Sequence, residues 1–104
     1  MSSEVVLADL QISSQSRQYV RVPVTASSDP THDAVAWAIV PPGTEPSVFV
    51  TGDWQTIGST FYARVLVGPG TSLVLARGYY ELFVQISDTP ETPVLRAGVL
   101  EVTY

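Results

Sequence analysis

The chain carries one histidine, His32, in the polar loop Ser27-Ser28-Asp29-Pro30-Thr31-His32-Asp33, with carboxylates at Asp29 and Asp33. An imidazole oriented by a carboxylate makes a general base, and a nucleophile within its reach would complete a hydrolytic site. The sequence announces no such nucleophile. Cysteine is absent, and the serines fall in turn clusters such as Ser13-Ser14-Gln15-Ser16, without a Gly-x-Ser-x-Gly elbow. No catalytic residue, no enzyme activity and no cofactor are expected. The remaining chemistry is that of hard oxygen ligands. A second acidic loop, Ser87-Asp88-Thr89-Pro90-Glu91-Thr92-Pro93, adds Asp88 and Glu91 to Asp29 and Asp33. These four carboxylates form a candidate calcium set if the fold brings both loops to one end. The competing reading is ordinary turn chemistry, in which an Asp beside Pro bonds its own local backbone amides. The sequence leaves both open.

Composition narrows the partners. The chain has 104 residues and a formal charge of −5, and all five basic residues are arginines scattered singly: Arg17, Arg21, Arg64, Arg77 and Arg96. A nucleic-acid surface needs clustered positive charge to displace counterions, so nucleic acid is not an expected partner. Charged residues make up 14% of the chain, against roughly 25% in an ordinary soluble domain, which is consistent with a neutral polar surface or with a surface covered by other chains. No apolar stretch approaches the ~20 residues of a membrane helix, and Met1-Ser2-Ser3-Glu4 lacks the basic start of a signal peptide. A cytoplasmically made protein without a membrane partner is expected.

The elements that must position these residues read as strands. Val6, Ala8, Leu10 and Ile12 alternate, as do Val20, Val22 and Val24 after the turn at 13–16, which suggests two strands joined by that turn. Pro23 cannot donate a ladder hydrogen bond, so a free side or a bulge is expected there. Val35, Trp37 and Ile39 share one face of a central buried strand, closed by Pro41-Pro42-Gly43-Thr44-Glu45-Pro46. Val48 to Trp54 and Thr60 to Val67 read as a pair of strands with a tight turn at Gly58-Ser59. Gly68-Pro69-Gly70 breaks the chain ahead of a short run at Leu73-Val74-Leu75. Tyr80, Leu82, Val84 and Ile86 then alternate, and a last strand runs from Val94 to about Thr103 with Gly98 as a bulge. The length allows one domain spanning 1–104, an all-β sandwich or barrel of about seven to eight strands. Trp54 and Phe49 are expected to fill the core. Tyr79 and Phe83 lie opposite the Tyr80, Leu82 face, so they point outward as a candidate contact patch unless a loop or strand covers them.

The segment Gly78-Tyr79-Tyr80-Glu81-Leu82 resembles the Gly-x-Tyr-x-Cys stretch of immunoglobulin domains, with Leu82 at the place of the second cysteine. The resemblance implies an immunoglobulin-like antiparallel β-sandwich with Trp37 as its buried tryptophan and Tyr80 as a tyrosine corner. Leu82, with Val20 or Val22, would supply packing where the disulfide is missing. A wider pattern runs from Pro41-Pro42-Gly43-Thr44-Glu45-Pro46 through Gly52-Asp53-Trp54 and Phe61-Tyr62-Ala63-Arg64-Val65-Leu66-Val67-Gly68-Pro69-Gly70 to Gly78-Tyr79-Tyr80. In this order the pieces resemble small structural proteins of tailed bacteriophages. That resemblance implies a non-enzymatic virion component, a capsid decoration or a neck or tail part. Such a component would be assembled in the host cytoplasm and would dock onto other virion proteins, with itself as a possible partner in a homo-oligomer. The alternative is a stand-alone binding or adhesion module that recognises a carbohydrate or protein through its acidic loop tips.

Overall fold

The computed structural model describes residues 3–5, 7–26, 29–87 and 92–104. Their strands are β1 (Ser3–Val5), β2 (Ala8–Ser13), β3 (Gln18–Ala26), β4 (Ala34–Val40), β5 (Val50–Thr51), β6 (Asp53–Ile57), β7 (Thr60–Val67), β8 (Gly78–Ser87) and β9 (Val94–Thr103). They form two sheets, ordered β1-β3-β7-β6 and β2-β9-β8-β4-β5. Two sheets each with one apolar face bury those faces against one another, and the result is an immunoglobulin-like β-sandwich. Its strand order is that of the A-B-E-D sheet and the G-F-C sheet, extended by a short C′ strand (β5) and by β2.

The core follows from the alternation. Val20, Val22 and Val24 of β3 and Ala63, Val65 and Val67 of β7 point to the same inner side of one sheet, and across the sandwich lie Trp37, Leu82, Val84, Ile86, Leu100 and Val102, all buried. Trp37 and Leu82 are both 0% exposed, and so is Val22, while Val20 is 2% exposed. Apolar packing therefore occupies the position of the absent disulfide, each such side chain contributing about 1.5–3 kcal/mol of burial. The Tyr80 hydroxyl donates to the Ala76 carbonyl at 2.7 Å, four residues upstream, and the ring packs on the core. This is the geometry of a tyrosine corner. Trp54 is partly buried against the core and donates from Nε1 to the Asp33 carbonyl at 2.8 Å. Phe49 is half-buried.

Three details differ from the sequence reading, and in each the buried face is legible while the neighbour is not. The turn after β2 does not close a hairpin. It carries the chain to the other sheet, and β2 runs parallel to β9 from Ala8↔Gly98 to Ser13↔Thr103, the one parallel ladder among the described strands. The strand expected over Val48 to Trp54 is divided: β5 pairs with β4, and β6 pairs with β7 in the opposite sheet. The crossing occurs at Gly52, where a Cβ would press on the Arg64 carbonyl oxygen and lie 2.7 Å from Cδ1 of Trp37. Leu73-Val74-Leu75 forms no strand. Leu73 and Leu75 pack against the core while Val74 is 68% exposed, so the alternation is real but no strand pairs with it. The about seven to eight strands expected from the sequence are present, and the described strands number nine when the two- and three-residue pieces β5 and β1 are both counted.

The turn at Gly58-Ser59 joins β6 to β7 as expected, with Ile57↔Thr60 as the closing pair. On β9 the register steps from Leu82↔Gly98 to Phe83↔Arg96, which leaves Ala97 as the extra residue of a bulge at Gly98. Pro23 pairs with Tyr62 on β7, and the described ladder to β1 stops one residue short of it, at Val24.

Candidate functional site

The acidic loop is organised by its own backbone. Asp29 accepts two hydrogen bonds at Oδ1, from the Thr31 amide at 2.9 Å and the Thr31 hydroxyl at 2.6 Å. The hydroxyl bond, then the amide bond, holds the Asp29 carboxyl below its ordinary range. Asp33 closes the turn with its amide on the Pro30 carbonyl at 3.0 Å, and its own carbonyl takes the Trp54 indole. Its Oδ2 is buried beside an open depression lined by Thr31, Gly52, Asp53, Trp54 and Thr56. His32 is exposed on the same turn. Asp88 and Glu91, the other half of the candidate calcium set, lie outside the described residues. Among the described residues no group of three or more His, Asp or Glu side chains is arranged to hold a metal ion.

The outward face of the five-stranded sheet carries Tyr79 and Phe83. Tyr79 is 61% exposed. Phe83 is half-buried and stands opposite Ala38 on β4, which is itself 1% exposed although it points away from the core. Between the two aromatics sits Glu81, which accepts the Gly43 amide at 2.8 Å and Nε of Arg96 at 2.9 Å. The amide bond first, and Arg96 second, hold the Glu81 carboxyl below its ordinary range. Glu81 thereby ties the proline-rich turn after β4 to the sheet and separates Phe83 from Tyr79. The neighbours of Tyr79 are at the other end of its strand: it lines a groove with Arg77, Glu101 and Tyr104, and the Arg77 guanidinium lies 4.2 Å over the Tyr104 ring. Tyr104 is 76% exposed, and nothing in the sequence pattern placed it beside Tyr79.

The outward face of the four-stranded sheet holds a set that sequence reasoning missed. Tyr19-Val20-Arg21 on β3 and Tyr62-Ala63-Arg64 on β7 are the same Tyr-x-Arg pattern, and both valine and alanine point into the core. The antiparallel register sets Arg21 opposite Arg64, so each arginine reaches diagonally to the tyrosine of the other strand. Arg64 lies 4.1 Å over Tyr19 and Arg21 lies 5.0 Å over Tyr62. Two like charges side by side would repel, and each is compensated differently. Arg64 makes a two-pronged pair with Asp53 at 2.7 and 3.2 Å, whereas Arg21 donates from Nη1 to Oε1 of the neutral Gln55 at 2.7 Å. Among the described residues the ion pairs are Arg64 with Asp53 and Arg96 with Glu81. Arg21 thus has no acidic partner among the described residues and lies on an aromatic platform next to Tyr19, 46% exposed. The signal was present in the sequence as the repeated Tyr-x-Arg on outward positions, but only the pairing of β3 with β7 turns two repeats into one surface.

In comparison with known proteins, the chain matches no family model and no curated protein sequence.

Proposed function

We propose that this domain is a non-enzymatic structural component of a phage virion, docking onto other subunits through the outward faces of its sheets. The observation that carries docking is the placement of Tyr79 and Tyr104 as exposed rings around a groove on a strand pair whose inner face is the core. Tyrosine and arginine are the side chains that dominate binding energy at protein interfaces, since they bury large rigid surfaces and retain a polar end. The virion context is supported by the ordered sequence resemblance to small tailed-phage structural proteins. Docking of this kind needs no high single-site affinity, because copies on a symmetric lattice act together. A loop-tip adhesion module gains less support: the Asp29 carboxylate is already engaged by Thr31 within its own turn.

Quantitative mass spectrometry of purified particles tests this reading. Copies near the number of the main shell protein would identify a capsid decoration, and copies for one ring would identify a neck or tail part. Absence from particles would overturn the virion role and leave a separate binding module.

A further inference from the structure

The two outward faces carry matching sets of opposite charge. On the five-stranded sheet, Tyr79, Glu101 and Gln11 lie in one row across β8, β9 and β2, with Gln11 Nε2 donating to Oε1 of Glu101 at 3.0 Å. On the four-stranded sheet, Gln55 and Tyr62 are paired across β6 and β7, and Arg21 of β3 lies over Tyr62 and bonds Gln55. Each set is a tyrosine, a glutamine and one charged group spread over three adjacent strands, a span of about 10 Å at the ~4.8 Å strand spacing. In one set the charge is a carboxylate, with the Arg77 guanidinium held over Tyr104 in the same groove; in the other it is a guanidinium, with the Arg64–Asp53 pair beside it. Each is held by a neutral amide, and neither forms an ion pair among the described residues. The molecule is broad enough for such a contact: its two longer extents are 39 and 30 Å, and a standard interface takes ~800 Å² from each partner.

We infer that the partner of the Arg21, Tyr62 face is the Tyr79, Glu101 face of a second copy of this chain. The inference rests on the reading of the Tyr79 face as a docking surface, and names what docks there. In the assembled contact the Arg21 guanidinium meets the Glu101 carboxylate, and tyrosines from both copies exclude water around the pair, where a charge-assisted hydrogen bond is strongest. Because the two faces are on opposite sides of the sandwich, the contact is heterologous. Copies stack head to tail, and the stack closes into a ring or continues as a filament according to the rotation between copies.

Sedimentation velocity on the whole chain, from micromolar to about 1 mM, the weak limit for a specific contact, tests the inference. The expected result is a sedimentation coefficient that rises with concentration for the unmodified protein. Arg21→Glu and Glu101→Arg should each weaken association at least ten-fold while keeping the melting temperature, and an equimolar mixture of the two should associate again, since the reversed charges complement one another. Misfolding of a variant cannot produce restoration on mixing. If either reversal unfolds the domain, Arg21→Gln and Glu101→Gln replace it; each then has one silent face, and their mixture should stop at a one-to-one dimer. A monomer throughout the concentration range, or folded variants whose mixture stays monomeric, would overturn the inference. A chain that is present in particles yet behaves in this way would retain the virion role and lose only the head-to-tail contact.

Discussion

Replacing Gly98 by alanine isolates the contact that holds the first long strand in place. Gly98 has a φ of 135°, a backbone region that L residues avoid, and holding a side chain there costs about 1–3 kcal/mol. The added Cβ would also overlap the Ala8 carbonyl oxygen and stand 2.7 Å from the Ala8 nitrogen, so β2 must retreat at Ala8↔Gly98, the first pair of its parallel ladder. Release of one or two ladder hydrogen bonds adds about 1 kcal/mol each, and partial exposure of Leu10 adds a further fraction of its burial. The expected loss is about 3–5 kcal/mol, a large share of the ~5–15 kcal/mol that stabilises a domain of this size. At about 4–8 °C per kcal/mol, the melting temperature should fall by at least about 12 °C. Gly58→Ala supplies the control: its φ is 61°, in the left-handed region, and nothing lies within 4 Å of the new Cβ, so it should cost only about 1–2 kcal/mol. Urea denaturation of both variants measures the difference. If Gly98→Ala costs no more than Gly58→Ala, β2 is not fixed against β9 as described, because the overlap with Ala8 and the less accessible φ both add to the cost at Gly98.

Three further outcomes follow from the geometry. Tyr80→Phe removes the hydroxyl donated to Ala76 and should cost about 0.5–1.5 kcal/mol by denaturant titration; an unchanged midpoint would show that the corner does not restrain the chain before β8. The Glu81 carboxyl lies below its ordinary 4.5, so its contribution to stability is complete above that pH and is lost as the pH falls through the lower, folded value. The Gly43 amide resonance should titrate with that depressed midpoint and become flat in Glu81→Gln, whereas a midpoint at the ordinary glutamate value would break the link between the turn and the sheet. Calcium at about millimolar levels should leave the melting temperature unchanged, since Asp29 is engaged by Thr31; a rise of more than about 2 °C would restore the metal reading.

The parts of the fold legible in the sequence are those governed by which face of a strand is buried. Period-two runs marked β3, β4, β7 and β8, and Trp37 with Leu82 falls in the core where the pattern put them. Side-chain alternation carries no information on which strand lies alongside, because a strand buries the same face whether its neighbour is parallel, antiparallel or in another sheet. Hence the alternation suggests β2 as the partner of β3 although it pairs with β9, and Val48 to Trp54 reads as one strand although the chain changes sheets at Gly52. Leu73 and Leu75 show the same limit from the other side: both are partly buried, and no ladder runs through them.

The same distinction explains why the surface was harder to read than the core. An outward tyrosine is visible in a sequence as an aromatic out of phase with the buried face, and Tyr79 was found that way. A binding surface, however, is made of residues from several strands, and its chemistry depends on register. Arg21 and Arg64 are unremarkable as single arginines; set opposite one another by β3 and β7, each is placed over the other strand's tyrosine. Only one of them can then be neutralised by Asp53, because Asp53 is in register with Arg64, while the residue in register with Tyr62 is Gln55. The charge left on Arg21 is therefore a product of strand pairing, as is the carboxylate of Glu101 beside Tyr79 on the far face. Among the described residues Arg21 on one face and Glu101 on the other, each beside tyrosine, have no ion-pair partner, and these are the two groups that the proposed head-to-tail contact joins, so charge reversal on either side alone should be enough to stop it.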